Sequence, residues 1–103
     1  MRRGITSSVI FNLPSEIPVS DLVDARITVK QRGCVCADHP LADLEIDAGS
    51  NALKLHLSQE ETLRLSADTK AGVQLKIKVR GGTVLSTPIH RVEVRDILNE
   101  EVI

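Results

Sequence analysis

The sequence predicts an all-β fold: a two-layer sandwich of about seven short strands. Three observations predict it. Apolar residues recur at every second position in run after run, most plainly in "ALKLHL" (52–57) and "GVQLKIKVR" (72–80). Such alternation marks a strand with one face buried. Turn-forming clusters separate these runs at short intervals, the spacing of sandwiches and barrels. Finally, Phe11 is the only aromatic residue, so Val, Ile and Leu must fill the interior, and branched aliphatics favour strands. With 103 residues, the chain is read as a single domain spanning 1–103. Its 42% hydrophobic and 26% charged residues match a folded globular chain and not a disordered one.

The elements follow in order. "ITSSVIFNL" (5–13) places Val9, Phe11 and Leu13 on one face and stops at Pro14, which cannot donate to a ladder. "SEIPVSDLVD" reads as a loop with one helical turn after Ser20. In "DARITVKQ", Ala25, Ile27 and Val29 face one way and Arg26, Thr28 and Lys30 the other. Arg32-Gly33 is a tight reversal into "CVCAD". After Pro40 come a short "DLEID" and the turn cluster "AGSN" (48–51). "ALKLHL" turns Leu53, Leu55 and Leu57 inward, and "GVQLKIKVR" sets Val73, Leu75, Ile77 and Val79 against Gln74, Lys76, Lys78 and Arg80. Gly81-Gly82 permits positive φ and closes a hairpin into "TVLSTPIHRVEV". Pro88 breaks that last ladder, and the apolar parity slips between Ile89 and Val92, which predicts a bulge or an edge position.

"LSQEETLRL" (57–65) abandons the two-residue rhythm. Ser58 followed by Glu61 has the S-x-x-E spacing of a capping box, which satisfies the free N–H groups of a helix start. About one and a half turns fit before "ADTKAG" ends the pattern. A short helical corner between the fifth and sixth strands, followed by a final hairpin, suits an immunoglobulin-like sandwich. The core Trp and widely spaced cysteine pair of antibody domains are missing.

Composition narrows function. Sugar platforms, base-stacking surfaces and aromatic cages need π faces, and this chain has one aromatic ring. The net charge of −1 provides no overall steering field. "MRRGITSSVIF" is a poor signal peptide, and nothing approaches the roughly 20 apolar residues of a membrane span. Cys34, Cys36 and His39 form C-x-C-x-x-H, three soft ligands without the second pair that structural zinc normally has. They read instead as two small apolar residues in a reduced core and a loop histidine, and no metal or cofactor is expected. No nucleophile elbow or glycine-rich phosphate cradle is present, so the protein reads as a non-enzyme.

Charge placement carries more information. Lys76, Lys78 and Arg80 line one face of a strand, and Arg91 and Arg95 extend it on the hairpin partner, giving a candidate interaction face. Arg26, Lys30 and Arg32 form a second basic row, while acids gather elsewhere, at Asp38, Asp43, Glu45 and Asp47, at Glu60 and Glu61, and at Asp96, Glu100 and Glu101. A solvated outer face of exposed charges ranks ahead of either binding role, and protein contact ranks ahead of nucleic acid between those two. The end, "DILNEEVI" (96–103), is amphipathic through Ile97, Leu98, Val102 and Ile103, a candidate docking tail or a cap on the domain's own core.

The second half, from "LSQEETLRLS" to "VLSTPIHRVEVRDILNEEVI", resembles small proteins encoded in phages and prophages of Gram-positive gut bacteria. In these an L-T/S-Q-E-E-T-L corner precedes an alternating strand, a Gly-containing hairpin and an ending close to VLNEEVI. The opening "RRGITSSVIFNLP" is similar to their start as well, whereas "CVCADHP" departs from the pattern. The resemblance implies a virion structural or assembly protein acting through protein–protein contacts, as a homo-oligomer or among other virion proteins. It brings no catalytic residue. A ligand- or host-surface-binding module of a phage tail is the alternative, and a nucleic-acid-associated role ranks below both. The expected location is the cytoplasm of the bacterial host, with incorporation into the particle, and no membrane.

Overall fold

The structure, a computed structural model, describes residues 1, 3–67 and 69–95. The alternating runs become strands β1 (Ser7–Asn12), β2 (Leu22–Gln31), β3 (Cys34–Pro40), β4 (Glu45–Asp47), β5 (Ala52–Leu57), β6 (Ala71–Val79), β7 (Val84–Ser86) and β8 (His90–Val92). One helix, α1 (Gln59–Leu63), joins β5 to β6. Short 3-10 turns at Val19–Asp21 and Leu41–Asp43 lead into β2 and β4. The first takes in Ser20, earlier than the turn expected after that residue, and residues 22–24, read as loop from the sequence, already belong to β2.

The strands form two antiparallel sheets. The smaller has the order β1-β5-β4; the larger has β3-β2-β6-β7, with β8 also on β6. Phe11, Leu53, Leu55 and Leu57 from the smaller sheet share one core with Ala25, Ile27, Val29, Val73, Leu75 and Ile77 from the larger. Each is the inward member of its alternation, and burying a Leu, Val or Ile side chain stabilises by about 1.5–3 kcal/mol. The architecture is thus all-β and sandwich-like.

Strand order departs from the immunoglobulin expectation. That arrangement sets the second strand beside the fifth. In this chain β2 lies between β3 and β6, and β5 between β1 and β4. The reason is local: Arg32 (φ 54°) and Gly33 (φ 78°) make a two-residue turn with positive φ at both centres, folding β3 directly against β2.

The final run is split in two. Lys76 pairs with Ser86 but Val73 pairs with His90, so Pro88 and Ile89 together stand opposite Gln74. This is the bulge that Pro88 and the parity slip predicted. Thr87 bridges it: its N–H donates to the Leu75 carbonyl at 2.9 Å, and its hydroxyl accepts the Leu75 N–H at 3.1 Å.

The helical corner forms as the sequence predicts. Ser58 Oγ accepts the Glu61 N–H at 3.2 Å while Glu61 Oε1 accepts the Ser58 N–H at 3.1 Å, a complete capping box. Buried Thr62 donates its hydroxyl to the Ile5 carbonyl, fixing the corner to the chain entering β1. Two further polar side chains hold loops. Buried Gln31 donates to the carbonyls of Ser66 and Thr69 and accepts the Ser66 N–H. Asn51, in the left-handed region at φ 51°, donates to the Leu13, Pro14 and Ile17 carbonyls and accepts the Val19 N–H.

Candidate interaction face

Because β2 pairs with β6, the two basic rows of the sequence merge. Arg26 stands directly opposite Lys76, Asp24 opposite Lys78, and Lys30 opposite Gly72, whose other neighbour is Arg91. Arg26, Lys30, Lys76, Lys78 and Arg91 are all exposed on the outer surface of the larger sheet. Among the described residues, two acids, Asp24 and Asp38, share it. Asp38 binds Arg26 at 2.9 Å and also accepts the Thr28 hydroxyl, and Asp24 accepts the Ala25 N–H. Among the described residues, Lys30, Lys76, Lys78 and Arg91 have no ion-pair partner. A shallow depression of about 240 Å³ lies between Asp24, Arg26, Lys76, Lys78 and Val84.

The five cations proposed from sequence do not form one cluster. Lys76, Lys78 and Arg91 belong to the face. Arg80 lies beyond one end of β6, where its N–H donates to the Asp21 carbonyl at 2.8 Å. Arg95 lies beyond the other end, beside β8, with its backbone bonded to Met1 and Arg3 and its guanidinium 3.8 Å from Glu93. Arg26 and Lys30 complete the face instead. Arg32 turns away to donate to the Thr69 hydroxyl. The proposed tail residues Ile97, Leu98, Val102 and Ile103 lie outside the described residues.

Apolar side chains are interspersed with these charges. Val35 and Ile89 are each 56% exposed and Val84 51%, all on the same surface. Ile89 arrives there through the bulge and lies over Gly72, close to where a Cβ on Gly72 would project.

The opposite outer surface is different. On the smaller sheet, His56 contacts Glu45 at 2.9 Å and Ser8 at 2.9 Å, and Lys54 contacts Asp47 at 3.5 Å. Its polar side chains are locally paired. Between β1 and β7, at one side of the sandwich, an apolar groove of about 290 Å³ is lined by Phe11, Leu13, Ile17, Ile77 and Leu85.

The C-x-C-x-x-H segment takes an arrangement the sequence did not reveal. Ala37 pairs with Val29 and Val35 with Lys30, so Cys36 is the extra residue of a bulge. Cys34 is exposed and Cys36 half-buried, both as free thiols, so neither is the core residue expected. Nor is His39 in a loop. It lies on β3 opposite buried Ile27, between two carboxylates: Nδ1 meets Asp43 at 3.1 Å and Nε2 meets Glu61. Burial alone would lower the His39 pKa, but the hydrogen bonds with Glu61 and Asp43 outweigh it and raise it above 6.5. Burial alone would raise the Glu61 pKa, but the His39 hydrogen bond and the Ser58 N–H outweigh it and lower it below 4.5. Among the described residues, no three His, Cys, Asp or Glu side chains are grouped to hold a metal ion. Among those residues, no helix is long and apolar enough to cross a membrane.

No protein-family model matches the chain, and no curated protein is detectably similar to it.

Proposed function

We propose that this protein is a non-enzymatic structural or assembly component of the phage and prophage type, working by protein–protein contact on the outer face of its larger sheet. One observation carries the reading: Arg26 and Lys76 stand directly opposite each other, with Lys30, Lys78 and Arg91 alongside. Like charges directly across a ladder are destabilising, and Asp38 offsets only Arg26. A local cost of this kind is expected where a surface serves a partner. Acidic groups on a neighbouring protein offset it and give the contact its register.

The exposed aliphatics Val35, Val84 and Ile89 favour a protein over a nucleic acid as that neighbour. Sequence-tolerant nucleic-acid binding also recruits stacking rings, and the only aromatic side chain, Phe11, is 8% exposed within the core. In this reading the chain is made in the cytoplasm of a bacterial host and enters the particle or its assembly intermediate.

The test is co-expression with the products of the adjacent genes, followed by affinity capture. Wild type is expected to retain one such product at fixed stoichiometry, and Lys76→Glu/Lys78→Glu to lose it without a change in melting temperature. Capture of none of them, or equal capture by the variant, contradicts the reading. DNA retention with a steep salt dependence points to the nucleic-acid alternative.

A further inference from the structure

Each sheet has two edges, and an unprotected edge strand is a template for another chain. Three of the four edges carry a protective device. On the smaller sheet, β4 is three residues long and bears Glu45 and Asp47. On the larger, β3 is bulged at Cys36 and carries Asp38, and the β7–β8 edge is interrupted at Pro88. Among the described residues the fourth, β1, has none. Its six residues, "SSVIFN", contain no charge, proline or glycine, and its register with β5 runs uninterrupted from Ser7–Leu57 to Asn12–Ala52. Ile10, near its middle, is 54% exposed.

The backbone polarity of that edge is fixed. The Leu13 N–H donates to the Asn51 carbonyl, continuing the β1–β5 ladder by one residue. In an antiparallel ladder, hydrogen-bonded and non-bonded pairs alternate. The odd residues of β1 therefore bond to β5, while the N–H and C=O groups of Ser8, Ile10 and Asn12 point to the open side. Antiparallel pairing of β1 with a second copy can use these groups in a register centred on Ile10. Ile10 then meets Ile10 of the other copy, and Ser8 meets its Asn12. About six N–H···O=C bonds form. The same register sets Val9 against Phe11 on the inner side, so apolar residues face apolar residues on both surfaces.

We propose that β1 is a self-pairing edge through which two copies associate about a two-fold axis at Ile10, joining two three-stranded sheets into one of six strands. The interface is isologous: the same six residues serve on both sides. The biological use of this pairing rests on the assembly reading above; its existence does not.

Light scattering after size exclusion tests the association, and engineered cysteines test its register. Wild type is expected to be a dimer at high concentration. Ile10→Lys is expected to weaken it by about tenfold or more, with an unchanged melting temperature at a dilution where both proteins are monomeric. In a Cys34→Ser/Cys36→Ser background, Ile10→Cys is expected to form an inter-copy disulfide under mild oxidation. Paired Cα atoms at a hydrogen-bonded position are about 5.5 Å apart, within disulfide reach. Ser8→Cys is expected not to cross-link, because its counterpart is Asn12. A strictly monomeric wild type overturns the inference, as does a dimer indifferent to Ile10→Lys or equal cross-linking at positions 8 and 10. Partner capture through Lys76 and Lys78 is read in a separate assay, so either conclusion can fail while the other stands.

Discussion

His39 holds β3 against the helical corner through Glu61, and against the turn before β4 through Asp43. The pH dependence follows from the two shifts. The raised His39 pKa means its contribution is complete below about 6.5 and is lost as pH rises through the folded value. The lowered Glu61 pKa means its contribution is complete above about 4.5 and is lost as pH falls through the folded value. The pair is therefore at full strength between these limits. Its side chains are only 21% and 15% exposed, so solvent screens it less than a surface pair. His39→Gln is expected to cost about 1 kcal/mol near pH 6 and clearly less near pH 9, measured by urea unfolding at both values. An equal cost at both pH values contradicts the assignment. Ser58→Ala removes the cap from α1 and is expected to cost about 1 kcal/mol at either pH.

Among the elements, those read from sequence are the ones whose signals are local. Leu53, Leu55 and Leu57 announce β5 by parity alone, and Ser58 with Glu61 announces the corner, because a capping box needs only four residues. Gly33 announces the β2–β3 turn, and Pro88 the break in the last strand. The pairing of β2 with β6 has no local signal, since it joins segments that are far apart in the chain. Opposing Arg26 with Lys76 even argues against it. The bulge at Cys36 was also illegible, because the cysteines alternate as a regular strand would. The His39–Glu61 contact spans 22 residues and depends on that same fold. Two glycines separate turn chemistry from packing. Gly33 has φ 78° and open space at its Cβ position, so Gly33→Ala is expected to cost about 1 kcal/mol from backbone strain alone. At Gly72 a Cβ would meet Ile89 Cγ2 at 2.9 Å, and that methyl sits one bond from Cβ on a stiff β-branched side chain, so the bulge must shift to admit it. Gly72→Ala is therefore expected to cost about 1–3 kcal/mol, most of it restored when Ile89→Ala is added. Thermal unfolding of the two variants, with and without Ile89→Ala, distinguishes these cases.

For the whole molecule, stability and the proposed function fall on opposite sides of the larger sheet. Its inner side shares the aliphatic core, and Leu55→Ala is expected to cost about 2–5 kcal/mol in a single cooperative unfolding transition. Its outer side carries Lys30, Lys76, Lys78 and Arg91 without ion-pair partners among the described residues, next to exposed Val35, Val84 and Ile89. Lys76→Glu relieves the repulsion with Arg26 while Lys78→Glu sets up one with Asp24, so reversing both is expected to alter recognition while sparing the fold. The most direct measurement is the stoichiometry with which products of the neighbouring genes are retained by wild type and by Lys76→Glu/Lys78→Glu, read beside the melting temperatures of both. The account predicts a fixed-ratio complex for wild type and its loss in the variant, with both proteins melting together. Retention of none of those products, or retention indifferent to the two reversed charges, contradicts it.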